Sequence, residues 1–478
     1  MSDADRRTED VAPTEEDVLR DEGAPPGFRD ESGQVSRTYL DAVSEALERE
    51  EDATLATLAA DLHEADLADL LEALEPGLRP NLILRLGRDF DFTVLTEVDD
   101  GVREQILDDL APAQIALGLE DLDSDDAVRI LEDLEKGDQE SVLSQLSIGE
   151  QIRLRRGLDY PEESAGRLMQ TEFVAVPSFW SVGQTIDYMR EEDELPEFYE
   201  LFVVDPAHKL VGAVPLNRFL QTRRSVSIGG LVDEARHMVS ATTDREEVAR
   251  LFERYNLLSM PVVDDTERMV GVIMVDDVLD VIQEEADEDI RRLSGIGDEE
   301  ISDSVRQTVR SRVVWLVINL GTAVLASLVI GLFEATIEQM VALAVLMPIV
   351  ASMGGNAATQ TMTVAVRALA ARDLGNLNAR RIVRRETSVG LINGIVFAIL
   401  IGVVASVWFA NAQLGVVIGA AMVVNMLAAG LAGILIPLTL QKLKVDPAIA
   451  SGVFVTTVTD VVGFFAFLGF AALWFGLG

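Results

Sequence analysis

Asp460 lies in the run Thr456-Thr457-Val458-Thr459-Asp460-Val461-Val462-Gly463, inside an apolar stretch long enough to cross a bilayer. A charged group at the centre of a membrane costs about 3 kcal/mol or more, so it marks a functional position by default. Helical spacing puts hydroxyls and the open face of Gly463 around this carboxylate. No Lys or Arg lies deep in the apolar spans to neutralise it, which points to a mobile cation. A second stretch carries Met347-Pro348 and then Ser352-Met353-Gly354-Gly355-Asn356-Ala357-Ala358-Thr359-Gln360. Proline and paired glycines are expected to break the helix and free carbonyls, tolerable at that depth only beside a wet cavity. Those carbonyls, at Gly354 and Gly355, with Asn356, Thr359 and Gln360, make an oxygen set suited to a hard cation. Oxygen ligands without His or Cys favour magnesium or calcium over zinc or copper, and composition does not choose among Mg²⁺, Mn²⁺, Co²⁺ and Ca²⁺.

Five apolar segments position these residues, at about 312–333, 341–370, 387–410, 414–438 and 448–476. Asp460 is read as the only ionisable group deep within them. Arg306, Arg310 and Arg312 precede the first segment. Arg367, Arg372, Arg380, Arg381, Arg384 and Arg385 mark the second connection, and Lys442 and Lys444 the fourth. The first and third connections and the C-terminal end carry no Lys or Arg, which predicts a cytoplasmic N-terminus and an extracellular C-terminus.

The charge of the chain is divided at the same border. Before Ser311 there are 75 acidic and 30 basic residues; from Ser311 onward there are 6 and 9. So acidic a chain is unsuited to nucleic acid. Divalent cations are its natural partners, although a salt-adapted proteome would produce the same bulk acidity, and only Lys136, Lys209, Lys442 and Lys444 are lysines. The absence of cysteine excludes thiolate metal sites and cysteine nucleophiles. Nucleophile–base pairs, phosphate loops and HExxH-type motifs are also absent, and His63, His208 and His237 are the only histidines, so an enzyme is not expected. The N-terminus lacks the basic and apolar regions of a signal peptide.

Residues 1–34 read as a disordered acidic tail. Over 35–163, leucine-rich stretches at helical spacing are broken at Glu75-Pro76-Gly77, Ala111-Pro112 and Lys136-Gly137, predicting stacked short helices. Ala46-Leu47, Leu70-Leu71, Ile106-Leu107 and Ile130-Leu131 should face inward. Residues 164–285 contain a duplication, divided as 164–226 and 227–285. Val203-Val204-Asp205 and Val211-Gly212-Ala213-Val214 return 59 residues later as Val262-Val263-Asp264 and Val270-Gly271-Val272-Ile273. Each copy reads strand, turn, strand, helix. A connecting helix over 286–310 leads into the five-helix segment 311–478. The fold class expected is therefore a multidomain membrane protein with a helical N-domain, an α/β pair, a connecting helix and an α transmembrane domain.

The duplication resembles a tandem pair of CBS domains. Nucleotide-binding copies usually carry Ser or Thr three residues after the glycine and Asp at six. Met274 and Asp277 stand at those places in the second copy, Pro215 and Arg218 in the first, so Asp277 alone matches as an ATP-site residue. The whole order over about 36–476 resembles the MgtE family of magnesium channels and transporters. The resemblance is carried by Pro348 with Gly354-Gly355-Asn356, Arg367-Ala368-Leu369-Ala370, Arg372-Asp373, Val445-Asp446-Pro447-Ala448, and Thr459-Asp460 with Gly463. It implies a homodimer in the cell membrane with a pore between subunits, and Asp460 at the position that binds hydrated magnesium. It also implies a cytosolic Mg²⁺ sensor whose acidic positions correspond to Asp125, Asp244, Glu246, Asp277, Asp280, Glu285, Glu288 and Asp446. Thr93, Arg129 and Asn256 depart from the family's carboxylates, and Arg129 suits replacement of a cation by a salt bridge. The alternative from another class is a membrane-anchored cation or nucleotide sensor that does not transport.

Overall fold

The computed structural model describes residues 27–60, 62–192, 195–234, 237–293, 305–370, 376–443, 445 and 447–476. It forms two compact units, Met1–Ile282 and Gln283–Gly478.

The first unit opens with short helices: α1 (Arg37–Glu48), α2 (Asp52–Ala59), α3 (Glu64–Ala73), α4 (Arg79–Leu86), α5 (Asp100–Asp109), α6 (Pro112–Leu119), α7 (Ser124–Glu132), α8 (Lys136–Leu143) and α9 (Ile148–Leu158). Local chemistry sets the ends of several. Asp99 caps α5, Pro112 starts α6, and Ser147 with Glu150 makes a reciprocal capping box on α9. Ser147→Ala should therefore cost about 1 kcal/mol, read as a lower thermal midpoint of the first unit by circular dichroism. All four residue pairs expected to face inward are buried in one leucine-rich core. Arg103 is buried there too, held by Asp100 and Asp133. The tail is shorter than the 1–34 expected to be disordered: residues from Phe28 onward are fastened to this domain. Phe28 packs edge-on against Tyr39, and Arg29 pairs with Asp66 and Asp69. Residues 1–26 lie outside the described residues.

After α10 (Ala165–Leu168) come the two α/β modules. The first holds β1 (Ala175–Pro177), α11 (Val182–Glu191), β2 (Glu200–Val204), β3 (Leu210–Pro215), α12 (Leu216–Gln221) and β4 (Asp233–Glu234), in sheet order β1-β2-β3-β4. The second holds β5 (Val239–Ser240), α13 (Arg245–Tyr255), β6 (Ser259–Val263), β7 (Met269–Met274) and the start of α14 (Val275–Leu293), in sheet order β5-β6-β7. The duplication persists in the register: Val203 pairs with Gly212 and Val262 with Gly271, each followed by an irregularity at the next residue. The hairpin turns match as well. Asp205 Oδ1 accepts from the amides of Ala207 and Lys209, and Asp264 Oδ1 from those of Thr266 and Arg268. In both turns the fourth residue, His208 or Glu267, takes a left-handed φ.

The helix α14 continues without interruption from the second module through Glu285 and Glu288 to Leu293. Residues 294–304 of the expected connecting helix lie outside the described residues. The second unit then contains α15 (Val305–Gly331), a short α16 (Glu334–Gln339), α17 (Ala342–Ala370), α18 (Asn376–Trp408), α19 (Ala412–Lys442) and α20 (Pro447–Phe475). Among the described residues five of these are long and apolar enough to span a membrane: Thr308–Gly331, Ala342–Leu369, Arg380–Trp408, Ala412–Lys442 and Gly452–Phe475. The most buried is α19, which packs against α17, α18 and α20. Small residues permit the close approach: a Cβ at Gly390 would lie 2.7 Å from Met426 O, and one at Gly430 2.9 Å from Glu386 O.

Candidate functional site

Asp460 sits half-buried on α20, with the buried Thr459 before it. The threonine hydroxyls on this helix donate to their own backbone. Thr456 Oγ1 donates to Gly452 O at 2.9 Å, Thr457 to Val453 O at 2.6 Å and Thr459 to Thr456 O at 2.9 Å. With the protons so used, the outward lone pairs are left as acceptors, which suits a cation or its water shell. The neighbouring helix is α17. A Cβ at Gly355 would meet Thr456 Cγ2 at 3.8 Å, so the glycine-rich stretch and the Asp460 helix are packed together in one chain. Asn356, Thr359 and Gln360 lie exposed on α17.

The expected break in the second span does not occur. The helix α17 runs through Pro348, Gly354 and Gly355 without interruption. The carbonyls around Gly354 therefore remain in helical bonding, and Gly355 O also accepts from Thr359 Oγ1 at 3.0 Å. The oxygens left to face a cation on α17 are therefore those of side chains, not of the backbone. Gly354 instead provides packing room, because a Cβ there would strike the Asn425 amide.

Sequence reading missed two polar groups of this unit. Glu386 falls just outside the apolar segment 387–410, because Arg380, Arg381, Arg384 and Arg385 cut the apolar window short. The membrane-spanning stretch of α18 in fact begins at Arg380, and Glu386 is buried within it. Its carboxylate pairs with Arg385 at 2.9 Å and accepts from Thr361 Oγ1 of α17 at 3.4 Å. Asp460 is therefore not the only acidic side chain within the spans. The other is Asn425, fully buried on α19. Its signal was a lone amide between Leu414 and Leu438, in a segment otherwise free of strongly polar side chains.

In the first unit, two helix starts bring carboxylates together. Asp123 is the N-cap of α7, with Asp125 and Asp126 in its first turn, and Asp276 and Asp277 open α14. Single carboxylates are welcome at a helix N-terminus, but this many facing one another repel. Burial, then Asp276, Asp126 and Asp280, push the Asp277 carboxyl up to about 8. Asp126 is pushed up to about 6, chiefly by burial and then by Asp123, with Arg129 opposing. Asp125 is held well above the usual range by burial and then by Asp277. Glu97, which sequence reading missed, is raised by burial and by Asp280. It stands shortly after Thr93, one of the departures from the family's carboxylates.

Arg129 lies inside this cluster, with Nη1 3.7 Å from Asp280 Oδ2 and Nη2 4.0 Å from Asp100 Oδ1. It thus joins the helical domain to α14 by a fixed charge. Among the described residues no group of three or more acidic or histidine side chains is gathered as a ready metal site. The donors are nevertheless oxygen-only and mutually repelling, which fits a hard dication more than an anionic nucleotide at Asp277.

The remaining sensor candidates are elsewhere. Asp244 caps α13, its Oδ1 accepting from the Glu246 amide at 3.0 Å. Asn256 ends that helix in the left-handed region, at φ 52°, where Asn is favoured over most side chains, a structural reason for the departure there. Glu285 and Glu288 lie on α14, where Glu288 is buried and pairs with Arg292 one turn on. Asp446 lies outside the described residues.

Comparison with known protein families finds the same order of domains. Residues 62–163 match the MgtE intracellular N domain, 165–224 and 232–284 match CBS domains, and 347–470 match the MgtE divalent cation transporter model. The chain is 30% identical to the magnesium transporter MgtE of Bacillus subtilis over 86% of its own length and 92% of that protein. It is 35% identical to the magnesium transporter MgtE of Thermus thermophilus over 66% of its length and 70% of that protein. A crystal structure of the soluble part of a magnesium transporter aligns with a TM-score of 0.45 at 26% identity, covering 52% of this chain and 98% of that one. The chain belongs to the MgtE family of divalent cation transporters.

Proposed function

We propose that this protein carries Mg²⁺ across the cell membrane along a path lined by Asp460 of α20 and by Asn356 and Thr359 of α17, with Gly355 giving the two helices their close contact. The observation that carries this reading is an acidic side chain inside an apolar span, without an ion-pair partner among the described residues, beside a helix that exposes amide and hydroxyl oxygens. Mg²⁺ parts with water reluctantly, so one carboxylate ringed by neutral acceptors suits a largely hydrated ion better than a dry cage. The magnesium transporters among the relatives support the choice of ion. A homodimer would place two copies of Asp460 about a shared path. The distribution of Arg and Lys supports a cytoplasmic N-terminus and an extracellular C-terminus. With the first boundary moved to Phe28, the domain division is 28–163, 164–285, 286–310 and 311–478.

Cytosolic Mg²⁺ closes this path through the acidic positions. Asp125, Asp277 and Asp280 act between the helical domain and α14, Glu285 and Glu288 further along α14, and Asp244 and Glu246 at the start of α13, with Asp446, outside the described residues, as the remaining member of the set. When the cation is scarce the carboxylates repel, and when it is bound they are drawn together. Arg129 supplies part of that neutralisation permanently. Arg129→Ala should raise the internal Mg²⁺ needed for half-closure by about three- to tenfold, measured as flux against internal Mg²⁺ in liposomes. ATP at Asp277 is the second ligand to test, by calorimetry with and without Mg²⁺. The experiment for the main reading is rescue of a magnesium-auxotrophic strain. Growth with the native chain and none with an Asp460→Ala chain of equal abundance is expected; equal rescue by both rejects the site.

A further inference from the structure

Between Leu414 and Leu438, α19 has a single strongly polar side chain, Asn425, and it is 0% exposed. Its Nδ2 donates to Val350 O of α17 at 2.8 Å. Its Oδ1 is buried with no hydrogen-bond partner among the described residues. Two glycines on different helices make space for this amide. A Cβ at Gly354 of α17 would collide with it, and a Cβ at Gly463 of α20 would lie 2.7 Å from Nδ2. Both glycines border the proposed ion path: Gly354 precedes Gly355-Asn356, and Gly463 is one helical turn beyond Asp460. Leucine shares the branched outline of asparagine, though it is larger, and carries no polar group to satisfy, so an amide with an unsatisfied acceptor is poorly explained by packing alone.

We propose that Asn425 is a positioning residue of the ion path, an amide pin clamped between Gly354 and Gly463 that sets the distance of the Asn356–Thr359 face from Asp460. The bond to Val350 O fixes its height on α17, and the two glycines fix its depth between helices. This inference rests on the ion path proposed above, and it adds a residue that touches no ion.

The test uses the full chain in liposomes, with Asn425→Leu, Asn425→Ser, Gly354→Ala and, in parallel, Asp460→Asn. The readouts are half-saturating Mg²⁺, maximal flux and the ratio of Mg²⁺ to Ca²⁺ flux. Loss of folded protein lowers maximal flux alone, whereas a displaced path changes half-saturation and the ion ratio. Asn425→Leu and Gly354→Ala should each raise half-saturating Mg²⁺ by about tenfold and lower the ion ratio. Asn425→Ser, which keeps a donor, should fall between them and the native chain. Unchanged half-saturation and ion ratio in Asn425→Leu or Asn425→Ser overturn the pin, even if maximal flux drops. If Asp460→Asn alone leaves every readout at its native value, the assigned ion site fails, and that failure is recognised separately from the behaviour of Asn425.

Discussion

Asp460→Ala is expected to remove Mg²⁺ flux almost completely while leaving the protein folded. A dication about 5 Å from a carboxylate is attracted by about 2 kcal/mol in bulk water and about 7 kcal/mol at the effective dielectric of a protein surface. Even the lower figure exceeds the roughly 1.4 kcal/mol that corresponds to a tenfold change in binding, so flux below saturation should fall by more than about tenfold. If a dimer places two such carboxylates on one path, the loss compounds. Asp460→Asn separates charge from shape, since it keeps the side-chain outline and a neutral acceptor. It should resemble Asp460→Ala in flux and the native chain in thermal midpoint, because a half-buried carboxylate without an ion-pair partner among the described residues contributes little to stability. Flux from either variant above half the native value contradicts the assigned role.

The second large effect is expected in the first unit, which without divalent cation should become less stable as pH rises. The sign follows from Asp277 and Asp126, whose folded values of about 8 and about 6 lie above the ordinary 3.8. A group raised on folding contributes fully below its unfolded value and loses that contribution as pH passes through the folded one. The thermal midpoint should therefore fall between about pH 4 and about pH 8. Millimolar Mg²⁺ should restore it at the upper end, because a bound dication neutralises the same charges as protons do. Asp277→Asn should flatten the profile and stabilise the cation-free unit at pH 8 by about 1–2 kcal/mol, a figure reduced for partial solvent screening. The same variant should leave flux in liposomes nearly unresponsive to internal Mg²⁺. A midpoint that climbs with pH, or an Asp277→Asn chain that closes normally, contradicts the repelling-carboxylate mechanism.

Much of this architecture was legible because its signals are local or periodic. The leucine pairs from Ala46-Leu47 to Ile130-Leu131 identified the inward faces of the helical domain, and all are buried. The 59-residue repeat carried through to strand register and even to the left-handed residue of each hairpin turn. The apolar runs gave five spans. What sequence reading missed depends on neighbours distant along the chain. Gly354-Gly355 looked like a helix break, but Gly354 is small because Asn425 of another helix occupies the space a side chain would take. Glu386 looked like part of a charged loop, whereas Thr361 and Arg385 allow it to be buried inside a span. Asp126 and Glu97 carried no motif; only the folding that brings their carboxylates within electrostatic reach of those at the start of α14 gives them shared surroundings. Arg129 is the opposite case, since its departure from an acidic pattern predicted a salt bridge and one is present with Asp280.

The most direct test is Mg²⁺ flux through the purified full chain in liposomes, with Mg²⁺ varied on the side that holds the N-terminal unit. Mg²⁺ flux is expected to be highest when that side is depleted, to fall as its Mg²⁺ rises, and to disappear in Asp460→Asn. No Mg²⁺ flux at any concentration on that side would contradict the transport role of Asp460 and leave a membrane-anchored cation sensor as the better description.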